Sequence, residues 1–433
     1  MTRPDFKKAS AKVWNWFAAI GLAIWLALQF GMIGLYYDNT LSGDPGSHIE
    51  LAENVLLTHH PYPDNDQITH VNAWQHRSYI IYPGYINLLA VVMAVFGSYK
   101  AMFFINVAFN LLLLWSLHRV TRTLFGLATA RWACVLYCLF PWSIWVPCVL
   151  LTELPSLAFT GLALALLTYR NKWLWVFAGV SLILSYYIRP SALVFGVAAL
   201  IMLLTHREWL KILWTAGGTA ASACVLLLFN WGTSGVPFIT SNTLGINVFI
   251  GAKTTTGEYT VAPLQDEEID RYFETYHTVD QYDSLYMAKA VEHIKAHPQE
   301  WIKLIPKKIR PLIESHSPWG VSRDNDPTRF NPYEPGNEAW LIPWAYYPMF
   351  YQRMIYILAV FGLIALRRKL WGDAGIVLIP VLGTVASAII AYGGARYFIP
   401  AMPSIIIFGA AGASWLVAKI RTLFKSKHAI PNS

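Results

Sequence analysis

Charge is what this chain has least of. Asp, Glu, Lys and Arg make up 13% of its 433 residues, against about a quarter in a soluble globular domain. Long stretches carry no acid or base at all, among them residues 13–37, 132–152, 154–169, 374–395 and 397–418. Runs of that length and apolarity match a bilayer core, which takes about 20 residues of helix to cross, and they argue against a water-soluble fold. Cysteine is also scarce. Cys134, Cys138, Cys148 and Cys224 all lie within apolar runs, where a free thiol behaves as a small hydrophobe, so a disulfide framework is not expected. No internal repeat is evident. What is abundant is apolar: 55% hydrophobic residues, with 19 Trp and 23 Tyr to supply aromatic belts at both membrane interfaces.

The charges that remain are sorted. Basic clusters fall at Lys7–Lys8–Lys12, His118–Arg119–Arg122–Arg131, Arg170–Lys172, His206–Arg207–Lys211, Arg367–Arg368–Lys369 and Lys419–Arg421–Lys425–Lys427. Lone ionisable residues, Asp44, Glu153, Arg189 and Arg396, stand at the intervening ends. Cytoplasmic loops carry the excess of Lys and Arg, so every cluster can be placed inside and every lone charge outside. The clusters are short and alternate with apolar runs, so their role is topological and no nucleic-acid partner is expected.

The pattern predicts about ten transmembrane helices, at 13–36, 101–117, 128–146, 154–169, 173–188, 190–205, 212–232, 350–366, 374–393 and 397–418, with both termini cytoplasmic. The first run has no small-residue cleavage site after it and reads as a retained anchor. Several runs are short enough to require tilt or local thinning. One further apolar segment, 80–97, would break the parity if it crossed, so it is expected at the outer interface or part-way in. The chain divides into a transmembrane catalytic module (1–232) with a first outer loop (38–79), an outer segment (233–349), and C-terminal helices with a basic tail (350–433). In the first loop, 46–57 places Ile49, Ala52 and Leu56 on one face and Glu50, Glu53 and Asn54 opposite, as in a helix lying in the membrane plane. In the outer segment, 284–296 reads as a helix, and Pro298 can open a second at its first turn.

Asp44 sits in a Ser-Gly-Asp-Pro-Gly turn and reads either as a helix cap or as a carboxylate at the lip of a membrane cavity. Glu153 is the single acid between Asp66 and Glu208 and is flanked by Leu151–Thr152 and Leu154–Pro155. An ionisable group embedded in apolar sequence is costly and is a functional candidate by default. Snorkelling explains one outer arginine; two, on the face that carries two acids, suggest an anion site, since the guanidinium fork suits phosphate. A lipid-linked sugar phosphate held by the arginines, with a carboxylate to deprotonate an acceptor hydroxyl, fits the set.

The residues resemble a family. The order Gly43-Asp44, Ala52-Glu53-Asn54-Val55-Leu56, then Tyr82-Pro83-Gly84-Tyr85 opening an apolar helix that ends Phe96-Gly97, is similar to the polyprenyl-phosphate-sugar glycosyltransferases. These are the protein O-mannosyltransferase-like and lipid A aminoarabinose transferase-like enzymes of the GT-C fold. Arg122 to Gly126, Thr152-Glu153-Leu154, Arg189-Pro190, Gly245 to Gly251 with Gly257-Glu258-Tyr259, His297-Pro298 and Arg396-Tyr397-Phe398-Ile399-Pro400 follow in the same order. The resemblance implies an all-α GT-C membrane protein. Asp44 is then the catalytic carboxylate with Glu153 beside it, inversion occurs at the anomeric carbon, and the polyprenyl phosphate leaves. His48 stands where the family has a tyrosine, and Arg77 is the nearest substitute for a basic residue before the Tyr-Pro-Gly segment. Arg189, Arg396, Lys253, Arg77, Tyr82, His48 and Tyr397 are the expected donor contacts.

No cofactor is required by this reading. A divalent cation shared by Asp44 and Glu153 is the one ion the pattern leaves open. His48, His59, His60, His70 and His76 match no compact metal signature and read as ordinary loop residues. The expected function is transfer of a single sugar from a polyprenyl-phosphate donor to a glycan, lipid or protein acceptor on the periplasmic face of a bacterial inner membrane. The rival class is a transporter of lipid-linked saccharide, which would place charges nearer the midplane, often in paired repeats with broken helices. A transferase of longer lipid-linked glycans is a third reading.

Overall fold

In the computed structural model the described residues are 6–37, 44–58, 82–234, 237–259, 279–313 and 342–427. Among them the chain is predominantly helical, with a single isolated β-bridge, Glu258 to Gly393. The helices are α1 Phe6–Tyr36, α2 Asp44–Thr58, α3 Pro83–Phe96, α4 Ala101–Phe125, α5 Leu127–Cys138, α6 Pro141–Trp145, α7 Glu153–Leu167 and α8 Lys172–Ile188. They continue as α9 Leu193–Thr205, α10 Trp209–Ser234, α11 Leu244–Lys253, α12 Val279–Ala296, α13 Pro298–Ile313, α14 Ile342–Leu366, α15 Asp373–Ile390 and α16 Met402–Lys427.

Six helices are long and apolar enough to cross a membrane, seven if the bent pair α5–α6 is one span. α7, α8 and α9 are apolar but shorter, with 15, 17 and 13 residues. The protein is therefore an all-α, multi-pass membrane protein. α3 has 14 residues, about 21 Å at 1.5 Å per residue, which is short of the roughly 30 Å hydrocarbon core.

Apolar helices in lipid gain little from burying one another, so they associate through close packing at small residues. α14 and α16 meet where a Cβ on Gly362 would lie 1.9 Å from the Phe408 carbonyl oxygen and one on Gly412 would lie 2.0 Å from that of Leu358. Hydroxyls join α7 to α8: Ser185 Oγ lies 2.7 Å from Thr160 Oγ1 and 3.0 Å from Ser156 Oγ.

The structure departs from the sequence expectation in three places. The predicted straight span 128–146 is broken and bent by 62°, because Phe140, preceding Pro141, is held extended. α2 begins at Asp44, two residues before the expected stretch 46–57. Its buried positions are His48 and Ala52, with Leu56 exposed, because the face turned to the core also carries Ile49, Leu51 and Val55.

The break after α5 is what builds the site. From Phe140 to Thr152 the backbone is irregular apart from the short helix α6, yet it is largely buried, and buried carbonyls there need partners. Asn106 donates to the carbonyls of Pro147 and Val149 at 3.4 and 3.1 Å. Asn110 donates to Ser143 O at 2.5 Å and to Gln29 Oε1 at 2.9 Å. Tyr351 and Tyr347 donate to Leu136 O and Leu139 O. These side chains from α1, α4 and α14 hold the segment that ends on Glu153.

Candidate active site

Asp44, Glu153, Arg189 and Arg396, far apart in sequence, converge at one end of the bundle. Each helical charge stands where the local dipole favours it. Asp44 and Glu153 are the first residues of α2 and α7, and Arg189 caps the C-terminal end of α8. Arg396 comes from the 3₁₀ segment Ala395–Ala401 that leads into α16.

Glu153 is fully buried, and its carboxylate is shared by two guanidiniums. Arg189 Nη1 reaches Oε1 at 2.9 Å. Arg396 pairs with the same oxygen through Nε and with Oε2 through Nη2 at 3.3 Å. Arg396 also uses Nη1 to hold Asp44 Oδ2. Arg189 is fixed further by donating to Thr152 Oγ1 at 2.8 Å and to Ser191 Oγ at 3.2 Å. Two carboxylates and two guanidiniums thus form a neutral chain running from the protein interior toward the surface.

Aromatic rings wall this chain. Tyr82 adopts a left-handed conformation, φ 47° and ψ 54°, which a non-glycine residue takes up at a cost. It places its ring 5.9 Å from the Arg189 guanidinium carbon and 5.9 Å from the His48 ring. Two residues on, a Cβ on Gly84 would fall 2.7 Å from the Tyr187 carbonyl carbon and 2.8 Å from Ile188 N, so the Tyr-Pro-Gly sequence is what lets α3 lie against the end of α8. His48 is 2% exposed, packs on Tyr85 at 5.0 Å and hydrogen-bonds Leu150 O through Nδ1 at 3.0 Å. Burial pushes its pKa down, against the opposing pull of that hydrogen bond. His48 therefore ties α2 to the segment that presents Glu153.

On the other side Tyr397 lies edge-on to Tyr392 at 5.2 Å, and Tyr392 to Tyr259 at 5.3 Å. Tyr392 donates to Asn247 Oδ1 at 2.8 Å. Tyr259 is half-exposed and close enough to Asp44 for the carboxylate to help raise its phenol pKa, behind the larger effect of burial. Its position depends on two glycines. Gly257 has φ +86°, and a Cβ on Gly393 would lie 1.9 Å from Lys308 O. Gly393 N donates to Gly257 O at 2.8 Å. Lys308 itself is buried, donates to Ile389 O at 2.8 Å, and is held down to about 8 by desolvation.

Of the expected site residues, Asp44, Glu153, Arg189, Arg396, Tyr82, His48 and Tyr397 come together. Lys253 is placed on the α11–α12 side, its ammonium 4.6 Å from the Phe249 ring centroid and near His293. Arg77 lies outside the described residues, as do His59, His60, His70 and His76. Thr152, Ser191, Tyr259 and Tyr392 were not expected as site residues. The Gly-Glu-Tyr match pointed toward Tyr259 and the Thr-Glu-Leu match toward Thr152, but no signal in the sequence set Ser191 apart. Among the described residues no three His, Cys, Asp or Glu side chains gather as metal ligands. The place between Asp44 and Glu153 where a divalent cation would sit is spanned by a guanidinium, so this donor set does not fit a metal.

No family model matches the chain, and no curated protein resembles it in sequence. Two solved structures are similar to it. One is the Archaeoglobus fulgidus oligosaccharyltransferase in its apo form, with TM-score 0.47 and 13% identity over 95% of this chain and 52% of that one. The other is the archaeal oligosaccharyltransferase AglB from Archaeoglobus fulgidus in complex with an inhibitory peptide and a dolichol-phosphate, with TM-score 0.48 and 13% identity over 96% and 53%. The chain spans about half the length of those two structures.

Proposed function

We propose that this protein is a membrane glycosyltransferase of the GT-C kind that takes one sugar from a polyprenyl-phosphate donor and inverts it onto an acceptor hydroxyl. The observation that carries the reading is the graded ion chain. Glu153 and Arg189 are buried, while Asp44 and Arg396 present a carboxylate and a guanidinium side by side at the surface, with side chains 55% and 32% exposed. In this reading Asp44 accepts the acceptor's proton as its oxygen attacks the anomeric carbon. The bond from that carbon to the phosphate oxygen breaks, and the electron pair leaves on polyprenyl phosphate, whose charge Arg396 stabilises. Glu153 and Arg189 hold Arg396 and the loop in place; Tyr259, Tyr392 and Tyr397 border the sugar.

A donor whose tail lies in lipid reaches such a site by lateral diffusion, which suits a carboxylate–guanidinium pair at the helix ends. The basic clusters at the opposite helix ends support cytoplasmic termini and a periplasmic site, and ten crossings if α7, α8 and α9 cross with tilt. The acceptor is a glycan, lipid or protein.

The test is transfer by the full chain in liposomes, supplied with a panel of polyprenyl-phosphate pentoses and hexoses and scored by release of polyprenyl phosphate. Release that depends on Asp44 supports the reading. Movement of the lipid-linked sugar across the bilayer with no release would replace the enzyme by a transporter.

A further inference from the structure

Arg396 bridges two carboxylates that differ in how much they need it. Glu153 is 0% exposed and has a second guanidinium partner, Arg189, at 2.9 Å. Asp44 is 55% exposed, so water can take the place of the guanidinium there, and exposed ion pairs are weak. The Arg396 side chain is itself 32% exposed. If it turns away from Asp44 it gives up its Nε and Nη2 contacts to Glu153, but that buried carboxylate still has Arg189 as a partner.

While Arg396 holds it, Nη1 occupies Asp44 Oδ2, one of the two carboxylate oxygens on which an acceptor hydroxyl could dock. A donor phosphate seated next to Asp44 offers the same fork two anionic oxygens at once, the arrangement guanidinium binds best.

We propose that Arg396 couples donor binding to acceptor activation: with the site empty it caps Asp44, and the donor phosphate draws it off, freeing the carboxylate. This rests on the glycosyltransferase reading and assigns that site its order of events. Asp44 becomes a competent base only after the donor is in place.

The consequence is a competition that binding can read. Asp44 and phosphate compete for Arg396, so removing the Asp44 carboxylate should tighten phosphate binding through Arg396. The experiment titrates polyprenyl phosphate, with the uncharged polyprenol as control, onto the full chain in nanodiscs. Four forms are compared: wild type, Asp44→Asn, Arg396→Gln and the double variant. Asp44→Asn is expected to tighten polyprenyl phosphate by about threefold, the worth of one exposed ion pair. That gain should be absent in the Arg396→Gln background and absent for polyprenol. An equal gain in both backgrounds would mean simple through-space relief of negative charge and would overturn the proposal, as would no gain. A wild type that binds polyprenol as well as polyprenyl phosphate would overturn the glycosyltransferase reading instead. A structure of the wild-type protein with polyprenyl phosphate checks the same point without a variant. Arg396 should lie on the phosphate with Asp44 released and the Glu153–Arg189 pair intact; Arg396 still on Asp44 would refute the coupling.

Discussion

Glu153 and Arg189 face one another at 2.9 Å, the carboxylate on the first residue of one helix and the guanidinium on the residue that ends the next. Both are buried, and the helix ends that carry them are stabilised by the charges they bear. This pair is the fixed part of the site, against which Arg396 and Asp44 are set.

Removing one partner of a buried pair leaves the other uncompensated. Glu153→Gln should lower stability by about 3 kcal/mol and abolish transfer, because Arg189 and Arg396 lose their shared acceptor. Thermal unfolding in detergent, read beside transfer, checks both; an unchanged midpoint would remove Glu153 from its structural role.

Asp44 is different. It is exposed, and Asp44→Asn should fold normally while transfer falls by about a hundredfold or more, the range for loss of a general base. Near-normal transfer by this variant would exclude Asp44 as the base.

His48 should make the fold acid-sensitive. Its ordinary pKa of 6.5 is lowered in the fold by burial, so the unfolded chain takes up a proton at a pH where the folded chain does not. Its contribution to stability is complete above 6.5 and falls away as the pH drops below that value. Between about pH 7 and about pH 5.5 the wild-type midpoint should decline, and His48→Asn, which can still donate to Leu150 O, should flatten part of that slope. Parallel slopes in the two proteins would show that His48 is not the group titrating.

Gly84→Ala tests the docking of α3. The added methyl would lie 2.7 Å from the Tyr187 carbonyl carbon and 2.8 Å from Ile188 N, so one helix has to shift, at about 1–3 kcal/mol. The movement is transmitted to Arg189, two residues beyond Tyr187, and transfer should fall in kcat although Gly84 touches no substrate. Full transfer with a lowered midpoint would confine the effect to packing.

Tyr259→Ala should raise the KM for sugar-bearing donor several-fold with little change in the binding of sugar-free polyprenyl phosphate, whereas Tyr259→Phe should stay close to wild type in both. Equal weakening of the two ligands would mean that the ring supports the phosphate site and not the sugar.

Much of this protein was legible from the amino acids. The uncharged runs at 13–37, 374–395 and 397–418 marked long helices, α1, α15 and α16, because lipid tolerates few charges within a span. Asp44, Glu153, Arg189 and Arg396 stood out because ionisable groups in such surroundings are rare. Pro298 marked the start of α13, since a proline at the first turn forfeits no helical hydrogen bond. What the sequence could not show is which of these charges pair. Arg189 and Arg396 read alike as phosphate ligands, yet the fold spends Arg189 on Glu153, Thr152 and Ser191 and leaves Arg396 shared between a buried acid and an exposed one. That distinction depends on burial, and burial is set by helices distant in sequence. Nor could periodicity reveal the bend at Pro141 or the asparagines on α4 that satisfy the irregular backbone behind it, because those bonds join segments tens of residues apart. Apolarity and isolated charge are local properties and can be read along the chain. The partner and solvent exposure of each charge are decided only when the helices pack.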